Sequence, residues 1–269
     1  MKKLALKSGL CCIILGLIVA LCILIEGCSP SPVSPLKSQF SPLRIAAASD
    51  LTKAFKEIGM LYEKKVGQKA EFVFGASGQI EKQIESGAPY DVFASANEAY
   101  VDQLIAKKMA VQDSKRVFAQ GRLGIWVRSS KVPLPPSAKE LLSPVYQKIA
   151  IANPEFAPYG KAAKEALQSE KVWDSLQRKL VFGENVQQTT QFVQTGNADA
   201  ALVGLSTITG LGGKFTLLPQ KDYTPLKQAI VILRSSKVPS KATSFIAFVS
   251  GAEGQAILKK YGLELRTQN

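Results

Sequence analysis

The sequence predicts an α/β fold in which mostly parallel sheets are flanked by helices. Short apolar runs, typical of buried strands, alternate along the chain with stretches whose apolar residues have helical spacing. Residues 43–269 also provide enough chain for one large domain or two smaller ones. Together these observations favour parallel strands that are connected by helices.

The N-terminus is predicted to lie outside this fold. Three lysines precede an apolar run over 10–25, and Cys28 follows it, which is typical of a secretory signal segment of the lipoprotein type over 1–28. An uncleaved anchor helix is the alternative, although the apolar run is shorter than the roughly 20 residues that a membrane span needs. Residues 29–42 contain four prolines and five serines, so we expect a Pro/Ser-rich tether there.

The first strand and helix are predicted to meet at Ser49 and Asp50. The apolar run over 43–48 is typical of a buried strand, and helical spacing starts at Leu51. A helix leaves its first N–H groups without partners, and its dipole favours negative charge at that end. Ser49 therefore either caps its own helix or contributes to an anion site.

A second junction of this kind is predicted at Ser77. It follows a predicted strand over 70–74 and precedes a predicted helix over 79–86. The next predicted elements are a strand over 91–94 and a helix over 97–106.

The middle of the chain is predicted to pass from one lobe to another. An apolar stretch over 116–127, interrupted by Gly121 and Gly124, is where this crossing is expected. Prolines then exclude regular structure up to a short helix over 138–142. A strand over 148–152 follows.

Two further junctions are predicted in the second half of the chain. Pro158 suits the first turn of a helix over 161–168, which places Tyr159 at its start. Asn185 is a suitable cap for a helix that begins at Val186. The remaining predicted elements are strands over 179–182, 198–204 and 228–233 and helices over 186–194, 243–250 and 255–261.

Composition argues against most enzymes. The chain has no histidine, and its four cysteines all lie within the first 28 residues. The body therefore lacks a thiol nucleophile, an imidazole base and a Cys/His zinc site. The net charge is +13, but the basic residues occur as singles and doublets, so nucleic-acid binding has little support, whereas a positive field attracts small anions.

The four junctions are expected to form one site. The turns at the carboxyl ends of parallel strands gather at one edge of a sheet, where ligands bind. If two junctions come from each lobe, four helix N-termini face one point. Backbone N–H groups and hydroxyls there would bind a dianion without a counter-charge.

Four segments carry a family resemblance: AAASDL, FGASGQIEKQIESGAPYDVFASAN, NPEFAPYGKAAKEAL and LVFGENVQQTTQFVQTGNADAALVGLS. Together they resemble the molybdate-binding proteins of bacterial ABC transporters over nearly the whole body. The resemblance implies a two-lobed type II periplasmic-binding fold, with 43–120 plus 232–269 as the first lobe and 121–231 as the second. It also implies a monomer that is not an enzyme, needs no cofactor, captures molybdate or tungstate between its lobes and delivers it to a membrane permease.

The resemblance also assigns roles to particular residues. The hydroxyls of Ser49 and Ser77 are implied ligands, and Asp50 and Ser77 also offer N–H groups. Tyr159 is implied to donate its hydroxyl or N–H, and Val186 its N–H. Molybdenum would thus be held only as an oxyanion. Some relatives use a tyrosine in the strand after the fourth helix, but the matching residue here is Val203.

Asp50 is expected to turn its carboxylate away from the dianion and cap the helix. The alternative is that the carboxylate accepts a proton-bearing oxygen, which would favour hydrogen phosphate. Two other readings of the whole chain stay open: a lipid-tethered binding protein for another oxyanion such as phosphate or sulfate, and an oxyanion sensor. Lipidation at Cys28 would place any of these in the periplasm or on the outer face of the cytoplasmic membrane.

Overall fold

The computed structural model describes residues 42–265. The predicted signal segment, its Cys28 and nearly all of the predicted tether lie outside these residues. No helix in the described part of the chain is long and apolar enough to cross a membrane.

The described chain forms two mixed sheets flanked by helices, which confirms the α/β, two-lobed fold class. Its strands are β1 Leu43–Ala48, β2 Ala70–Gly75, β3 Val92–Ser95, β4 Arg116–Gly121, β5 Leu123–Val127, β6 Ile149–Ala152, β7 Leu180–Gly183, β8 Ala200–Gly204, β9 Lys214–Leu217, β10 Leu226–Ile232 and β11 Glu264–Leu265. Its α-helices are α1 Thr52–Val66, α2 Ser77–Glu85, α3 Glu98–Ala106, α4 Pro158–Ser169, α5 Trp173–Leu176, α6 Val186–Gln194, α7 Leu205–Ile208, α8 Pro239–Ser250 and α9 Ala252–Lys260. Short 3₁₀ turns include Ser49–Leu51, just before α1, and Ala138–Leu142, where a helix was expected.

The first sheet has the strand order β11-β4-β10-β3-β1-β2, and the second has β7-β6-β8-β5-β9. Strands β1, β2 and β3 are parallel to one another, as are β6, β7 and β8. The other pairings are antiparallel, so each sheet is mixed rather than mostly parallel. The chain enters the second sheet between β4 and β5 and returns between β9 and β10.

The parallel strands explain where the helix N-termini lie. Each of β1, β2, β6 and β7 is followed by a turn and then a helix. Helices that connect parallel strands cover the faces of the sheet, so their N-termini lie at the carboxyl ends of these strands. The core between the layers includes the fully buried Phe55, Tyr62 and Trp126. This packing fixes the four turns relative to one another.

Candidate functional site

A small cavity lies where the turns of the two sheets meet. Its volume is about 10 Å³, roughly the space that one water molecule needs. Its lining includes all five residues singled out from the sequence: Ser49, Asp50, Ser77, Tyr159 and Val186. The structure thus brings the four predicted junctions together, and the role of these residues as ligands stays a prediction.

Ser49 opens the 3₁₀ turn that leads from β1 into α1. No side chain caps this helix start, so the capping role considered for Ser49 is not observed. Instead, the Thr52 hydroxyl donates to the Ser49 carbonyl oxygen at 2.7 Å, which holds the turn in place. The Ser49 side chain is therefore positioned at the cavity wall without serving as a cap.

Ser77 is the first residue of α2 and is fully buried. It does not cap the helix either; its hydroxyl oxygen accepts a hydrogen bond from the N–H of Ala96 at 3.1 Å. A hydroxyl has one donor and two acceptor positions, so this bond leaves the Ser77 O–H hydrogen available. Ser77 can thus donate to an oxygen atom inside the cavity.

Val186 contributes a backbone N–H at the start of α6. Asn185 caps this helix as predicted: its side-chain oxygen accepts from the N–H groups of Gln187 and Gln188 at 3.0 and 3.1 Å. Since these two donors are occupied, the N–H of Val186 is left as a free donor of the first turn. Val186 lines the cavity with that end of the helix.

Tyr159 is the second residue of α4, after Pro158 at the predicted first position. Its N–H belongs to the first turn and has no partner within the helix. Its ring fills a slot between the ends of β4 and β8: a methyl group at Gly204 would lie 2.7 Å from the ring, and one at Gly121 would overlap the hydroxyl. The ring thus packs against the segment that connects the two sheets. The backbone N–H of Tyr159 is therefore the group that can donate to a ligand in the cavity.

The Tyr159 hydroxyl points into a buried polar cluster behind the cavity. It faces the Asp50 carboxyl and the Ser206 hydroxyl but makes no hydrogen bond of good geometry. Burial, followed by the nearby Asp50 charge, raises the pKa of this hydroxyl well above its usual value. The hydroxyl therefore stays protonated and neutral.

Asp50 does not cap α1, contrary to expectation. One oxygen of its carboxylate accepts from the Gln228 side-chain amide at 2.6 Å. The other oxygen has no hydrogen-bond partner. Burial raises the pKa of Asp50 to about 6, and the Gln228 amide and the nearby Tyr159 hydroxyl only partly offset this effect.

Gln228 was not identified from the sequence. It lies in the run QAIVIL, which has the pattern of an ordinary buried strand. The register of β10 against β4 shifts between Gln228 and Ala229, and such bulges redirect side chains. The amide donates to Asp50 from this irregular position, which carries no recognisable sequence signal.

Neutral groups alone provide the attraction for a ligand in the cavity. No lysine or arginine is among the described residues that line it. In the described part of the chain, no three His, Cys, Asp or Glu residues cluster as a metal site. What remains are the positive ends of helix dipoles, free N–H groups and hydroxyls, a set that suits an anion.

Contacts between the two lobes flank the cavity. The N–H of Gly78, in α2, donates to the carbonyl oxygen of Phe156, in the loop before α4, at 2.9 Å. The Lys82 ammonium lies 4.5 Å from the centre of the Phe156 ring. On another side, the Lys53 ammonium donates to the carbonyl oxygen of Thr209 at 2.7 Å. The structure therefore shows the lobes in contact around the site.

Comparisons with known proteins agree with this geometry. The sequence model of the bacterial extracellular solute-binding proteins matches residues 43–264. The molybdate-binding protein ModA of Rhodobacter capsulatus is 35% identical over 218 residues, which cover 81% of this chain and 86% of that protein. A putative ABC transporter substrate-binding lipoprotein of Bacillus subtilis, YvgL, is 28% identical and covers 89% of this chain and 93% of its own length.

A solved structure has the same architecture. The periplasmic molybdate-binding protein of Azotobacter vinelandii superposes with a TM-score of 0.79 at 28% identity. The match covers 84% of this chain and all of that one.

Proposed function

Because the chain belongs to the family of bacterial extracellular solute-binding proteins, we propose that it captures molybdate in the cavity between its lobes and delivers it to an ABC permease. One observation carries the proposal most directly. Four turns, two from each sheet, bring hydroxyls and helix-terminal N–H groups to one small cavity. Relatives named for molybdate binding support the choice of anion.

In this proposal the ligand is held entirely by hydrogen bonds. Ser49 and Ser77 donate their hydroxyls, and Asp50, Ser77, Tyr159 and Val186 offer N–H groups. Four such turns approach from different directions, which suits a tetrahedral oxyanion. Tungstate has the same shape and charge and nearly the same size, so it is proposed as a second ligand.

The cavity size argues against larger solutes. Pockets for drug-sized ligands have volumes of about 300–1,000 Å³. The cavity here is far smaller, at about 10 Å³. Any ligand therefore requires the lobes to separate, and a single small anion requires far less separation than a sugar or a peptide.

Delivery and location complete the proposal. We propose that the protein acts as a monomer outside the cytoplasm and that Cys28 carries a lipid that holds it at the outer face of the cytoplasmic membrane. Replacing Cys28 with alanine should then release the protein from membrane fractions while binding stays unchanged. Retention on the membrane would support an uncleaved anchor instead.

Titration calorimetry of the purified protein against molybdate, tungstate, sulfate and phosphate tests the ligand. Near-stoichiometric, tight binding of the first two and not of the others is the expected result. Selective binding of sulfate or phosphate would retain the fold and replace the ligand. Absence of binding to all four would overturn the capture of a tetrahedral oxyanion.

A further inference from the structure

The polar cluster behind the cavity contains an unusual concentration of buried atoms without partners. Six buried side-chain nitrogen or oxygen atoms in the described chain lack a hydrogen bond, and four of them belong to this cluster. They are one oxygen each of Asp50, Tyr159, Ser206 and Gln228. Buried polar atoms are normally paired, so a cluster of unpaired ones needs a physical explanation.

Both lobes contribute to this cluster. Asp50 and Gln228 belong to elements of the first sheet, and their side chains are joined by a hydrogen bond of 2.6 Å. Tyr159 and Ser206 come from α4 and α7, which flank the second sheet. The Tyr159 hydroxyl, which faces both Asp50 and Ser206, connects the two halves.

Among the described residues, no positive charge acts on Asp50, although the Arg122 guanidinium lies beside Tyr223. The groups that act on Asp50 are the Gln228 amide from β10, the Tyr159 hydroxyl from α4 and the Asp50 backbone N–H. Tyr223 is the further titratable group near Tyr159. No lysine or arginine of the described chain acts on Asp50, so nothing there compensates an ionised carboxylate.

A bound dianion would add a second negative charge next to this carboxylate. Asp50 itself lines the cavity, one residue from Ser49. Two negative groups in a water-poor site repel each other strongly, and protonation of one of them removes most of the repulsion. The carboxyl group is the one that can take the proton, because its second oxygen is unpaired.

We propose that each oxyanion captured in the cavity is accompanied by one proton that binds to Asp50. The proton comes from solvent and forms an O–H bond on the free carboxyl oxygen. That O–H donates to the Tyr159 hydroxyl oxygen, and the Tyr159 O–H in turn donates to Ser206. One proton would therefore pair three of the four isolated atoms.

This inference rests on the proposed function, and it makes the Asp50 carboxyl group, which does not itself hold the anion, a determinant of affinity. In the empty cavity burial raises the pKa of Asp50 to about 6, so near neutral pH the carboxyl is mostly ionised before binding. The anion raises the pKa further. Affinity should then fall by up to about tenfold per pH unit as pH rises above about 6, until the pKa of the complex is passed.

Calorimetry with sodium molybdate at about pH 7, in two buffers of different ionisation enthalpy, measures the protons taken up on binding. The intact protein should take up close to one proton per anion. Asp50→Asn should bind molybdate with little or no proton uptake, because an amide does not titrate. Asp91→Asn is the matched control. Asp91 is also buried, but its two carboxylate oxygens accept hydrogen bonds from the backbone N–H of Arg44 and the Ser236 hydroxyl, so proton uptake should stay as in the intact protein.

Each other outcome has a distinct meaning. Molybdate binding without proton uptake by the intact protein would overturn this inference and leave the proposed function standing. Uptake that persists in Asp50→Asn would place the proton on another group and also overturn it. No molybdate binding by either the intact protein or Asp50→Asn would overturn the proposed function and this inference together. The uptake itself is measured on the intact protein and does not depend on the folding of a variant, and Asp50→Asn assigns it to a residue.

Discussion

The backbone N–H of Gly78 donates a hydrogen bond of 2.9 Å to the carbonyl oxygen of Phe156 and thereby connects the two lobes beside the cavity. A methyl group at Gly78 would lie 2.9 Å from that oxygen and 3.1 Å from the Tyr100 ring. Backbone and ring can approach this closely only because residue 78 has no side chain. The contact therefore depends on glycine for its space.

Gly78→Ala should weaken molybdate binding by roughly 5- to 150-fold, because the added methyl group keeps the lobes apart and costs about 1–3 kcal/mol in the closed form. Thermal unfolding should change less, since each lobe retains its own core. Calorimetry and small-angle scattering with and without molybdate would measure the two effects. Wild-type affinity in this variant would show that the contact is not needed for closure.

Ser77→Ala removes both a donor to the cavity and the acceptor for the N–H of Ala96. Hydrogen bonds to charged groups contribute about 1.5–3 kcal/mol, so molybdate affinity should fall by roughly 10- to 100-fold. Ser86→Ala, at the exposed end of the same helix, is the matched control and should bind normally. Equal affinities for the two variants would remove Ser77 from the ligand set.

Asn185→Ala should lower the free energy of unfolding by about 1 kcal/mol, because the N–H groups of Gln187 and Gln188 lose their shared acceptor. Affinity should fall as well, since the first turn of α6 holds the N–H of Val186. Asn185→Ser keeps a capping oxygen and should restore most of both properties. Denaturant unfolding and calorimetry on the same samples would test this; loss of stability without loss of affinity would contradict the role of Val186.

The contribution of Asp50 to stability should fall as pH rises from about 4 to about 6. Burial raises the pKa of Asp50 to about 6, so in this interval the folded protein binds a proton that the unfolded chain has already released. Ionising the buried carboxyl then costs about 3 kcal/mol, which is fully incurred above pH 6 or so. Asp50→Asn should remove this contribution and unfold at a higher temperature than the intact protein at about pH 7. Parallel pH profiles of the two proteins would argue against a raised pKa.

The local sequence pattern predicted most of the site residues, because they lie where the pattern of a buried strand changes to helical spacing. Ser49, Ser77 and Val186 follow buried strands and begin helical segments, and the structure places them at such junctions. Asn185 and Pro158 have side-chain chemistry that acts within one helical turn, so their capping and first-turn positions were predictable. These predictions depend only on residues that are close together in the sequence.

Features that depend on contacts far apart in the chain were not predictable in this way. Strand β10 lies antiparallel between β3 and β4. The apolar pattern of a strand does not specify which strands it pairs with, so the sequence predicts mostly parallel sheets where the structure has mixed ones. The cap expected of Asp50 was wrong because Gln228, far along the chain, supplies its hydrogen bond instead. Short elements such as α5, β9 and β11 have too few residues to show a period.

No lysine or arginine is among the described residues that line the cavity, so charge should affect the association and dissociation of the anion differently. The chain as a whole carries a net charge of +13, and its field accelerates the approach of anions in a way that dissolved salt screens. Once enclosed, the anion interacts with short-range dipoles that salt hardly reaches. Raising the ionic strength should therefore slow the association of the anion while leaving its dissociation rate nearly constant. Salt would then change the rate of capture and not the lifetime of the complex.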